Sequence, residues 1–229
     1  MPASDPCPWQ SAAIGLLDVR RNDRLCACGI DVGVARELAA KVGRDGELTA
    51  VLHDPLAARA LAALDLPQVT VLAHTLTGEE RFGTFDALLV VPRHGPVPPA
   101  GALCDLARAN LRPGGRVVFD LPGVRMVPDL LAALSMAGLD PERSAAWCGL
   151  ADDALAETLR NGGLRNVHAV LGAHLMHADS PGDLVTQLTH GLDLGCDDVL
   201  QLTHALVRQK GGTGPLDVLV HRTRVLALR

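Results

Sequence analysis

The stretch "DRLCACGIDVGVARELA", Asp23 to Ala39, decides how the chain is read. "RLCAC", 24–28, has the short apolar character of a buried strand, and Gly29 and Gly33 bracket a turn. "GVARELAAKVG", 33–43, then repeats apolar residues at helical spacing and closes on Gly43, which suits a helix C-cap. A strand that feeds a helix through a glycine turn is the first half of a parallel α/β unit.

The unit recurs on the way out from this stretch. A first helix is expected over roughly 9–19, ahead of it. After it come strand "ELTAVL" (47–52), helix "PLAARALAAL" (55–64), strand "QVTVLA" (68–73) and strand "FDALLVV" (85–91). Pro55 stands near a helix start, where its missing N–H does no harm. Helix "PAGALCDLARANL" (99–111), turn "RPGG" (112–115) and strand "RVVFDL" (116–121) complete the regular part. Beyond residue 122 the rhythm loosens. Helices are expected at 127–139 and 151–164, a strand at 165–172, two more helices at 180–192 and 196–210, and a closing strand at 216–228. The spacing predicts one domain over 1–229, with halves at 1–122 and 123–229 and a helical insertion at about 179–211.

Composition narrows the function classes. With 48% apolar residues, no Tyr, three Phe and two Trp, the core must be built from Leu, Val and Ala. Stacking platforms for single-stranded nucleic acid are therefore not expected. A net charge of -5 without a basic block points away from phosphate-backbone binding. No stretch approaches the apolar length of a membrane span and the start does not resemble a signal peptide, so a cytoplasmic protein is expected. The six cysteines, at 7, 26, 28, 104, 148 and 196, form no dense framework, and Cys26 and Cys28 read as small core residues on one face of a strand.

The order of these elements, together with "FDALLVV" and "ARANLRPGGRVVFDLPG" (107–123), resembles the class I S-adenosylmethionine-dependent methyltransferases. The resemblance covers nearly the whole chain. It implies a sheet in the order 3-2-1-4-5-7-6 with strand seven antiparallel, and S-adenosylmethionine lying across the carboxyl ends of strands one and two. It also implies that the insertion covers the substrate side as a lid.

Laid on that family's motifs, the chain departs at four positions. In the first motif Gly29 and Gly33 stand where glycines are expected, but Ala27 replaces an acidic residue and Asp31 replaces the glycine that admits the cofactor. Asp31 is read either as a cofactor contact or as the N-cap of the following helix. The slot for the ribose-binding acid falls on Leu52, with His53 and Asp54 next in line; Asp54 can instead cap the helix that begins at Pro55. The slot for the adenine-binding acid falls on Thr75, beside His74.

Other chemistry is sparse. In the loop "VPRHGPVPPAG" (91–101), His94 is the candidate general base and Arg93 a candidate anion clamp. His174 and His177 in "GAHLMHAD" (172–179) lack a third strong ligand, so no metal is expected. "QKGGTGP" (209–215) lacks the phosphate-loop spacing and reads as a turn. The stripes in "LVTQLTHGL" and "VLQLTHALV" suit core packing, a substrate pocket or a second subunit. Two readings follow: a small-molecule methyltransferase with a diverged cofactor loop, or a non-catalytic protein of the same fold that acts as a scaffold or partner-binding subunit.

Overall fold

A computed structural model describes residues 8–92, 97–123, 127–140, 152–189 and 195–229. Its strands are β1 (Arg24–Cys28), β2 (Glu47–Leu52), β3 (Val69–Ala73), β4 (Phe85–Val90), β5 (Leu111–Pro122), β6 (Arg165–Ala178) and β7 (Leu216–Leu228). The helices are α1 (Pro8–Leu17), α2 (Val32–Val42), α3 (Pro55–Ala62), α4 (Ala100–Asn110), α5 (Pro128–Met136), α6 (Asp152–Asn161), α7 (Pro181–Thr189) and α8 (Cys196–Lys210).

The strands form one sheet in the order β3-β2-β1-β4-β5-β7-β6. The strands from β3 to β5 run parallel, and β7 is antiparallel to both β5 and β6. This is the sheet that the motif order implies. Central strands covered on both faces must be apolar throughout, which is why "RLCAC" and "FDALLV" show no alternation: only Arg24 of β1 is exposed. One face packs α1, α2, α3, α5, α7 and α8 on a core that includes Leu25, Leu38, Leu61, Leu130 and Leu206. The other packs α4 and α6 on Cys26, Cys28, Leu103, Phe119 and Leu159.

The Cys26 and Cys28 sulfurs lie 3.9 Å apart on this second face, both fully buried. The hydrogen bond to Cys26, reinforced by burial, pushes the Cys28 thiol well up, so the pair acts as small core side chains.

Two elements differ from the sequence reading. The "RPGG" segment falls within β5, but pairing jumps from Phe85↔Leu111 to Ala87↔Arg116, so 112–115 bulge out of the ladder and Gly114 takes φ 78°. β6 runs on to Ala178, past the expected end at 172, because residues 216–221 of β7 supply a partner for 173–178. His174 and His177 therefore stand on a strand.

The carboxyl half of the sheet hides a charge cluster. Asp120 of β5 is fully buried and accepts from Arg222 Nε at 2.6 Å and Arg224 Nε at 2.7 Å, both on β7. Arg224 also donates to His174 Nε2, and the absent side chain of Gly172 leaves the room for its guanidinium. Burial, and then the neighbouring Arg224 charge, push the His174 imidazole below its ordinary pKa. It stays neutral and accepts. These groups tie the antiparallel edge of the sheet to its parallel half.

Candidate cofactor crevice

The chain reverses direction across the sheet at β1: β2 and β3 lie to one side and β4 to the other. Ligands of such sheets bind in the crevice at the carboxyl ends of the strands on either side of this switch. Three hydrogen bonds define the crevice floor. Gly29 N–H donates to Val51 O at 2.9 Å, Val91 N–H to Cys28 O at 2.9 Å, and His74 N–H to Leu52 O at 2.9 Å.

Gly29 is glycine for two reasons. Its φ is 75°, and a Cβ there would sit 2.7 Å from both Pro92 Cα and Val91 O. The backbone that Gly29 lets approach is thus the chain's own loop after β4.

Asp31 adopts extended backbone, φ -93° and ψ 175°, and its Oδ1 accepts from Val34 N–H at 2.8 Å. It is the N-cap of α2, in a conformation that needs no glycine. Gly33 lies in the first turn of the same helix. Asp54 does for α3 what Asp31 does for α2, accepting from Leu56 N–H at 2.9 Å. Leu52, in the slot of the ribose-binding acid, is buried in the core with Leu48 and Ala50.

The side chains that do meet in the crevice are His53, His74 and Thr75, with Gly29, Val51, Leu76 and Pro92 around them. His53 Nδ1 and Thr75 Oγ1 share a hydrogen bond of 2.7 Å across the opening. A hollow of about 20 Å³ lies between these residues. His94 and Arg93 lie outside the described residues.

Sequence reading missed Glu80. Its carboxylate accepts from the Thr77 hydroxyl at 2.7 Å and from Gly78 N–H at 2.8 Å, and lies 3.3 Å from His74 Nε2. Burial alone would raise this carboxyl; the donors from Thr77 and Gly78 outweigh burial and hold it at about 2. Asn110 clamps the same loop, accepting from Phe82 N–H at 2.6 Å and donating to Glu80 O at 2.7 Å. The result is a loop after β3 that is fixed by its own polar groups, with His74 set edge-on to Phe82.

A stability test follows from the sign of this shift. Because the folded-state value lies below the ordinary 4.5, the contribution of Glu80 is present above about pH 4.5 and is lost as pH falls toward 2. Glu80→Gln is expected to cost about 2 kcal/mol at pH 7. The gap in urea midpoint between wild type and variant should close on acidification; an unchanged gap at pH 2–3 would contradict the assignment.

A larger hollow of about 810 Å³ lies between this loop and α4, away from the crevice. Arg81, Arg108 and Arg229 line it together with Glu79 and Asp105, so its charges nearly balance. Among the described residues, no group of three or more His, Cys, Asp or Glu could hold a metal ion, and no helix is long and apolar enough to cross a membrane.

S-adenosylmethionine, the cofactor that the motif order implies, fits this crevice poorly. The two aspartates nearest the crevice are occupied as helix caps, and the ribose slot is an apolar core residue.

Comparison with known proteins bears on the fold. No family model matches the sequence, and a search of curated proteins finds no match. Solved structures do match. The YcgJ protein from Bacillus subtilis has a TM-score of 0.66 at 12% identity, covering 96% of this chain and 97% of that one. An S-adenosylmethionine-dependent O-methyltransferase from Thermotoga maritima has a TM-score of 0.54 at 15% identity, covering 100% and 68%. Aeropyrum pernix fibrillarin, solved with natively bound S-adenosylmethionine, has a TM-score of 0.51 at 18% identity, covering 95% and 74%. Sheet order, the single antiparallel strand and these likenesses agree: the chain has the Rossmann-like fold of the class I S-adenosylmethionine-dependent methyltransferases.

Proposed function

We propose that this chain is a non-catalytic protein of the methyltransferase fold, serving as a scaffold or partner-binding subunit. The observation that carries the proposal is the loss of cofactor-holding groups from the crevice: Leu52 is buried in the ribose slot, Asp31 and Asp54 cap helices, and His53 is bonded to Thr75. The one carboxylate of β2, Glu47, stands at the strand's amino end and pairs with Arg24. Fold alone does not supply an activity.

The second reading is a methyltransferase acting on a small molecule through a diverged cofactor loop. It is favoured by the meeting of Gly29, His53, His74 and Thr75 in one crevice at the place where the fold puts its ligand. In that reading His53, His74 and Thr75 would hold the ribose and adenine, and the cofactor would supply the methyl group. His94 would be the base.

Calorimetric titration with S-adenosylmethionine and S-adenosylhomocysteine separates the two. Neither ligand is expected to give a binding isotherm at millimolar concentration. Saturable binding of either, weakened by His53→Ala, would overturn the first reading's account of the crevice and favour the second.

A further inference from the structure

We infer that two copies of this chain pair through the outer edge of β6, antiparallel and about a two-fold axis at Ala173. β6 ends the sheet, and among the described residues nothing pairs with its outer side. Edge strands are normally protected by shortness, by Lys, Asp, Glu or Pro, or by a bulge. β6 has 14 residues; from Asn166 to Ala178 it has none of those residue types, and its one register shift lies at the far end, between Arg165 and His168. Along it stand Val170, 54% exposed, Leu171, 50%, and Leu175, 64%, with Leu219 of β7, 42%, beside Leu175.

The occupant follows from the strand's own pattern. A two-fold perpendicular to the sheet keeps each face of one copy level with the same face of the other, so the axis must pass through a residue. With the axis at Ala173, the segment 168–178, "HAVLGAHLMHA", meets its own reverse. Leu171 then lies opposite Leu175 of the second copy, and Val170 opposite Met176. Each imidazole meets a small residue: His174 faces Gly172, His177 faces Ala169, and His168 faces Ala178. No two charged or titratable groups are opposed. Moving the axis to Gly172 sets Leu171 against Ala173 and Val170 against His174, and moving it to Leu171 or His174 opposes two histidines. Cross-strand pairs that match in size and avoid like charges are what stabilise an antiparallel ladder. A two-fold contact of this kind is closed and stops at a dimer.

Sedimentation velocity at micromolar concentration tests this. The wild-type chain is expected to sediment as a dimer. Ala173→Lys and Ala173→Glu, each placing like charges together at the axis, are expected to be folded monomers with the wild-type circular-dichroism spectrum, since Ala173 is exposed. Mixing the two should restore the dimer by putting Lys opposite Glu. Leu175→Lys, at a second exposed site, should also be monomeric. A monomeric wild type, a dimer that survives Ala173→Lys, or a mixture that stays monomeric would each overturn the inference, the first leaving the edge to a strand of another protein.

Discussion

Replacing Asp120 with alanine is expected to destabilise the fold by about 3–5 kcal/mol, the cost of leaving buried charge without its counter-charge. Asp120 is fully buried and receives Nε of both Arg222 and Arg224, which are themselves almost wholly buried. The carboxylate is the group that makes two neighbouring guanidinium ions tolerable in one apolar layer. Whether the intact cluster stabilises the fold relative to a hydrocarbon core is a separate matter, because desolvation offsets most of the attraction. Asp120→Leu combined with Arg222→Met and Arg224→Met should therefore recover much of what Asp120→Ala loses. Chemical unfolding of wild type, single and triple variants measures both effects. A loss under about 1 kcal/mol for Asp120→Ala would mean that the guanidinium groups are not held as the structure places them.

Gly29→Ala is expected to cost about 2–4 kcal/mol, combining a non-glycine residue at positive φ with overpacking against backbone. The clash is with Pro92 Cα and Val91 O, neither of which is the movable end of a side chain. Relief requires the β4 loop to move away from β1, breaking the Val91 N–H bond to Cys28 O. The loss should appear in the unfolding midpoint of the chain with no ligand added; an undiminished midpoint would show that the loop after β4 does not lie against Gly29.

Much of this was legible in the sequence, and the parts that were not share a physical cause. The strands β1, β2, β4 and β5 are local signals, apolar runs bounded by Gly, Pro and Asp, and their order implied the sheet. Asp31 and Asp54 also betray themselves locally, because an aspartate just before a helical stretch is a cap in its own right. The extension of β6 was not legible. "GAHLMHA" carries no strong strand signal of its own and becomes a strand because β7 lies beside it, 40 or so residues on.

The Asp120 cluster left a fainter trace. A lone Asp in "VVFDL" and two arginines two residues apart in "HRTRV" fall on one face once both segments are strands, but only the pairing of β5 with β7 brings them together. Glu80, in "HTLTGEERFG", looks like any solvated loop acid; its burial depends on Asn110, 30 residues away in α4. His53, His74 and Thr75 meet because β2 and β3 are neighbours, which the strand order implied, but that His53 bonds to Thr75 is visible only in three dimensions.

The chain turns the groups of its crevice to its own structure: Asp31 and Asp54 cap helices, Leu52 lies in the core, and His53 bonds Thr75. The most direct test is urea unfolding of the wild-type chain with and without about 1 mM S-adenosylhomocysteine, since any ligand that binds the native state alone must raise its stability. The midpoint is expected not to move. A stabilisation of about 1.4 kcal/mol, which a dissociation constant of about 0.1 mM would produce at that concentration, would contradict the account and return the crevice to cofactor binding.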